Sequence, residues 1–204
     1  MQDPAIHQFL IALLRSVTAL LIVLNPIGLV PIVASVIGDL DLRQQRRMVR
    51  QIVLIGSMLL LVFTFAGTGI LAIFRITIND LRIAGGLLLL SIGFSFVLKG
   101  SSTSDSKLRS NRSPAPIASP ILVGPGAITT AVVLVATNGV LVTSAAVAIV
   151  SAITWLIFRW TPSIFKSIGE SGADVIVRIM GILLAAIAVV YVREGIVGII
   201  KSFR

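Results

Sequence analysis

The sequence predicts an all-α membrane protein. Six transmembrane helices form two inverted three-helix repeats, with helices one and four broken near the midplane. Three observations lead there. The 204 residues are 56% hydrophobic and only 12% charged, roughly half the charge a soluble domain uses to face water. Six apolar stretches have about the 20-residue length that crosses about 30 Å of hydrocarbon. Short motifs then recur in the same order in the two halves of the chain. This composition excludes a soluble enzyme. With no cysteine, thiolate nucleophiles, thiolate metal sites and disulfides are excluded as well.

The spans follow in order. Span one covers 16–37, and residues 4–15 start its helix or form an interfacial turn leading into it, where Arg15 can snorkel to the headgroups. A cleavable signal peptide is not indicated, because Asp3 precedes the first arginine and no basic n-region exists. Spans two and three are 52–74 and 81–98. The polar linker 99–114 then separates a first repeat (1–98) from a second (115–204). Span four, 117–136, is interrupted by Pro120, Gly124, Pro125 and Gly126, and spans five and six are 140–158 and 175–197. No room remains for a soluble domain.

Basic residues set the orientation. Eleven lie in the loops after spans one, three and five, against six on the opposite side. The first set, with the 99–114 linker, is therefore cytoplasmic. Both termini lie on the extracytoplasmic side of a multi-pass protein of the cell inner membrane. The net charge of +9 then reflects topology and needs no nucleic-acid partner. The Arg43–Arg50 cluster reads as a topology determinant near anionic lipid.

Three matches define the repeat. Arg82-Ile83-Ala84-Gly85 and Arg178-Ile179-Met180-Gly181 are 96 residues apart, and Pro26 and Pro125 are 99 apart. Ile73-Phe74-Arg75 and Ile164-Phe165-Lys166 close spans two and five, 91 apart. Three spans per half is an odd number, so the second half crosses the membrane in the opposite sense. Inverted repeats of this kind are a recurring transporter architecture with the site where the halves meet.

The breaks carry the chemistry. Asn25-Pro26 reads as an N-cap followed by proline at the first helical position, and Gly124-Pro125 reads the same way. Each starts a half-helix whose first-turn N–H groups are unpaired and carry the positive end of the helix dipole. Gly28 and Gly126 clear side chains from these turns, Thr129 and Thr130 supply hydroxyls one turn on, and Pro31 and Pro120 complete the interruptions. Two such N-termini meeting at the midplane suit a carboxylate or another compact anionic group. The competing reading is structural: glycine and proline used only for kinks and close helix packing.

These motifs resemble a known family. NPIGLVPIV (Asn25–Val33) looks like the Asn/Asp-Pro-x-Gly-x-x-Pro signature of the MarC family. APIASPILVGPGAITTAVVL (Ala115–Leu134) looks like its second signature, and RIMGILLAAIAVVYVREGI (Arg178–Ile196) like its last helix. The resemblance implies a bacterial or archaeal six-span membrane protein transporting small neutral amino acids such as glycine and alanine. It carries over to Asn25, Pro26, Gly28, Pro31, Pro120, Gly124, Pro125 and Gly126. The implied partners are the lipid bilayer and a small zwitterionic substrate. Its carboxylate suits the helix N-termini, and its ammonium suits freed carbonyls or the Asn25 side chain. Proton or sodium coupling stays open, as does the oligomeric state.

Enzymatic readings are not supported. None of the eight acidic residues lies deep within a span, so paired intramembrane aspartates are excluded. The one histidine, His7, sits at the N-terminal boundary, where it does not serve as a triad base. Neither a cofactor motif nor a buried carboxylate relay is present. Asp80 and Asp174 precede Arg82 and Arg178 and are expected to form interfacial ion pairs. Function therefore reads as a secondary transporter working by alternating access. The alternatives are a passive channel or facilitator for small polar solutes, or a non-transporting scaffold subunit.

Overall fold

The computed structural model describes residues 4–38, 40–100 and 123–202, and among these there is no strand. The helices are α1 (Pro4–Leu24), α2 (Val30–Ile37), α3 (Leu42–Phe74), α4 (Ile78–Lys99), α5 (Pro125–Arg159) and α6 (Thr161–Ser202). All but α2 include a stretch long and apolar enough to cross a membrane. Pro120 and the linker from residue 101 onward lie outside the described residues.

α3 and α4 start earlier than their apolar spans because polar caps set their first turns. Asp41 accepts from Gln44 N at 2.8 Å while Asp41 N donates to Gln44 Oε1 at 3.4 Å, a capping box that opens α3. Thr77 and Asp80 make the same reciprocal box at the start of α4. Hydropathy registers only the lipid-buried part of each helix and misses these polar first turns. The box also changes one expectation. Asp80 gives its carboxylate to Thr77, with Thr77 Oγ1 donating to it at 2.6 Å, whereas Asp174 forms the expected pair with Arg178 at 2.7 Å.

α5 and α6 run 35 and 42 residues, longer than about 30 Å of hydrocarbon requires at 1.5 Å per residue. Each is interrupted. Gly139 (φ 83, ψ 164) divides α5 into 125–138 and 140–159, and Gly169 (φ 71, ψ 175) divides α6 into 161–168 and 170–202. That backbone region is essentially open to glycine alone. Gly139 falls between predicted spans four and five, so one merged helix covers parts of both. One repeat match does not hold in place. Arg75 ends α3 in the left-handed conformation (φ 55), but Ile164–Lys166 lies inside 161–168 instead of closing a span.

Packing follows from one stripe per helix. On α3 the residues Val49, Ile52, Val53, Gly56, Leu60, Thr64, Gly67 and Leu71 are buried, a spacing of three and four that lines a single helical face. This face meets α5 in antiparallel order. Ser57 bonds Ser151, and Gly67 lies against Val132. α4 and α6 are also antiparallel: Asn79 and Ile83 meet Gly195, Gly86 meets Ala188, and Val97 meets Arg178. At their centre a Cβ on Gly93 would lie 2.8 Å from the Gly181 carbonyl, and one on Gly181 would lie 2.8 Å from the Gly93 carbonyl. Paired small residues allow this backbone approach. α1 joins through Asn138 Nδ2, which donates to Ser16 Oγ at 2.9 Å. Outward faces carry bare apolar side chains such as Ile73 (79% exposed) and Leu98 (75%), a surface suited to lipid and not to water.

Candidate functional site

The first break is a compact turn. Asn25 closes α1 with its N–H still donating to the Leu21 carbonyl at 2.9 Å, but its own φ is 48, a left-handed geometry that asparagine tolerates. An N-cap residue is extended, so Pro26 cannot begin a helix here. Residues 26–29 form a turn instead, and α2 starts at Val30 with Pro31 in its first turn. The expected half-helix thus begins one turn later than the sequence suggested.

The donors are also arranged differently. Gly28 N donates to Asn25 Oδ1 at 3.2 Å, Leu29 N to the Asn25 carbonyl at 3.2 Å and Val30 N to the Ile27 carbonyl at 3.1 Å. These N–H groups satisfy one another's turn and do not wait for a ligand. What is left is the Asn25 side-chain amide: the residue is 5% exposed and its Nδ2 has no partner. Gly28 matters because a Cβ there would overlap that amide.

The second break matches its expectation more closely. Gly124 is extended (φ −67, ψ 171) and caps α5, with Pro125 at the first helical position. Ala127 N and Ile128 N donate to the Gly124 carbonyl at 3.0 and 3.3 Å. Gly126, however, makes room for a helix: a Cβ on it would overlap Leu89 of α4. Thr129 packs against Gly85 of α4 in the same way. Thr130 donates to the Gly126 carbonyl at 2.8 Å, which leaves the Tyr191 hydroxyl of α6 to donate to Thr130, also at 2.8 Å. For Gly126, Thr129 and Thr130 the geometry is that of helix packing.

The two breaks nevertheless converge. Leu24, directly before Asn25, and Val123, directly before Gly124, line one cavity together with Ser57, Ser151 and Thr154. Ser57 stands near the middle of α3 and Ser151 near the middle of 140–159, so the cavity lies within the α3–α5 contact. Ser57 Oγ and Ser151 Oγ are hydrogen-bonded at 2.7 Å, while Thr154 Oγ1 is buried with no partner. The cavity measures about 10 Å³, room for about one water. Its lining is uncharged, with three hydroxyls (Ser57, Ser151 and Thr154) beside Leu24, Val53, Gly56, Leu60 and Val123.

Sequence reasoning missed Ser57, Ser151, Thr154 and Tyr191. A signal for the serines existed, since they are 94 residues apart, close to the repeat offset. Thr154 and Tyr191 sit in apolar helices with nothing local to distinguish them.

Residues 10–200 match the MarC family of integral membrane proteins. A UPF0056 membrane protein of Buchnera aphidicola subsp. Schizaphis graminum is 33% identical over 186 residues, 87% of this chain and 88% of the relative. One from Methanocaldococcus jannaschii is 34% identical over 90% of this chain and 86% of its own length. The UPF0056 membrane protein YvbG of Bacillus subtilis is 31% identical over 88% and 92%. No solved structure matches. With the family matched across both helix breaks and through the described helices long and apolar enough to cross a membrane, the chain belongs to the MarC family and is an integral, multi-pass membrane protein.

Proposed function

We propose that the protein is a secondary transporter that moves small neutral amino acids, of the glycine and alanine type, across the cytoplasmic membrane by alternating access. One observation carries the reading: the residues directly before the two helix breaks line one cavity where Thr154 Oγ1 has no partner, and the buried Asn25 amide at the first break has none either. Irregular backbone inside a bilayer is tolerated where it is buried in protein or lines a cavity. Discontinuous helices facing each other are the usual makings of a transporter site. A substrate carboxylate suits the two donors and the N-terminal dipole of α5. Its ammonium suits the serine oxygens.

An inverted repeat of 1–98 and 115–204, six spans in all, is part of this proposal. It is supported by the antiparallel packing of α4 on α6, helices that carry the two Arg-Ile-x-Gly motifs. The Ser57–Ser151 bond joins residues related by nearly the same offset. Both termini are placed outside by the basic-residue count. A cavity of about 10 Å³ admits no amino acid, so substrate entry requires the helices around it to part, which favours a gated transporter over an open channel.

The test is counterflow in proteoliposomes with labelled glycine and alanine, competed by an amino-acid panel, under imposed proton and then sodium gradients. Saturable exchange of small zwitterions is expected. Flux without counterflow would instead indicate a facilitator, and no movement of any small zwitterion would sink the proposal.

A further inference from the structure

A second cavity, far larger than the one between the breaks, lies elsewhere in the described residues. A cleft of about 700 Å³ lies where the start of α3, the end of α5 and the start of α6 come together. Ligand sites commonly have volumes of this order. Five guanidinium groups line it: Arg43, Arg46, Arg47 and Arg50 from two turns of α3, and Arg159 from α5. Antiparallel packing explains the convergence, because the first turns of α3 and the last turn of α5 lie at the same end of the bundle. Among the described lining residues none is acidic. The nearby Asp41 already accepts from Gln44 N at 2.8 Å.

Three further features set the ligand's chemistry. Trp155 and Trp160, both tryptophans of the chain, line the cleft, with the Arg159 guanidinium 5.4 Å from the Trp155 ring centroid. Tryptophan is the residue of the headgroup level, and the ring holds Arg159 at that height by a cation–π contact. Ser163 brings a hydroxyl in the first turn of α6, whose N-terminus adds the positive end of a helix dipole. Finally, α3 turns from its arginine-rich start to a continuous apolar stretch beyond Gln51, so the cleft opens at the boundary between headgroups and hydrocarbon.

We infer that this cleft is a binding site for the phosphodiester headgroup of an anionic membrane phospholipid. The phosphate oxygens pair with the guanidinium forks, whose planar donor geometry matches phosphate in bidentate contacts. The acyl chains continue down the adjoining apolar helix faces. Basic pockets between transmembrane helices take such headgroups by the same chemistry.

The test uses the full chain in detergent. Because both tryptophans line the cleft, quenching of intrinsic fluorescence by brominated-chain phosphatidylglycerol, compared with brominated phosphatidylcholine, reports occupancy without any substitution. Stronger quenching by phosphatidylglycerol is expected. By native mass spectrometry, R46Q/R50Q should retain phosphatidylglycerol about 30-fold more weakly, at about 1 kcal/mol per arginine. The charge-matched pair R15Q/R193Q, outside the cleft, should leave retention unchanged. Equal quenching by the two lipids overturns the proposal, as does equal loss in both variant pairs. Displacement of the lipid by soluble glycerol 3-phosphate at matched concentration overturns the lipid as the source of the phosphate.

Discussion

Ser57 and Ser151 share a 2.7 Å hydrogen bond between their hydroxyl oxygens, across 94 residues of sequence and at the centre of the α3–α5 contact. Both serines line the cavity between the two breaks. A double-mutant cycle with S57A and S151A should give a coupling energy of about 0.5–1 kcal/mol, the range for side-chain bonds between membrane helices. Denaturant unfolding in detergent would measure it. A coupling of zero would mean that the two helices are held by packing alone.

Asn25 separates structure from function cleanly. Glycine accepts the left-handed backbone of residue 25, so N25G keeps the turn while removing the Oδ1 cap on Gly28 N and the unpartnered Nδ2. Losing the cap leaves the buried Gly28 N–H unpaired at a cost of about 1–3 kcal/mol, and removing the unsatisfied amide donor offsets part of it. N25G should therefore fold with a moderately lowered melting temperature, yet at a temperature where it stays folded lose counterflow at least tenfold, equivalent to about 1.4 kcal/mol. Undiminished exchange would remove Asn25 from the site.

Gly126 tests packing against binding. Alanine there collides with Leu89, and overpacking costs about 1–3 kcal/mol. G126A should lower thermal stability, and L89A should cost less in the G126A background than alone, because it vacates the contested space. If G126A abolished exchange at unchanged stability, Gly126 would belong to the substrate site after all.

Gly139 makes a different demand. A Cβ there would meet nothing within 4 Å, yet its φ of 83 and ψ of 164 are closed to side-chain-bearing residues. G139A should cost about 1–3 kcal/mol from backbone strain alone, measurable as a lowered unfolding midpoint. A neutral G139A would show that the break in α5 is dispensable. Gly69, which is also in open space but inside α3, is the control: G69A should be neutral or slightly stabilising, since alanine is the better helix former.

Much of this protein was legible in its residues alone. Composition made it a membrane protein, and apolar lengths located most of the long helices, although parts of two expected spans fall in the single interrupted α5. Pro26 and Gly124-Pro125 marked where the backbone leaves helical geometry. These features are local: a proline lacks its N–H and a glycine its Cβ whatever surrounds them. Tertiary structure decided the rest, because the remaining questions concern partners. Gly28 accommodates an amide while Gly126 accommodates Leu89, although the two glycines look alike in sequence. Thr130 is occupied by Tyr191, whereas Thr154, a residue no motif singles out, has a buried hydroxyl without a partner. Whether a buried polar group is free to bind depends on which helix lies opposite, and that follows only from how antiparallel α3 and α5, and α4 and α6, come together.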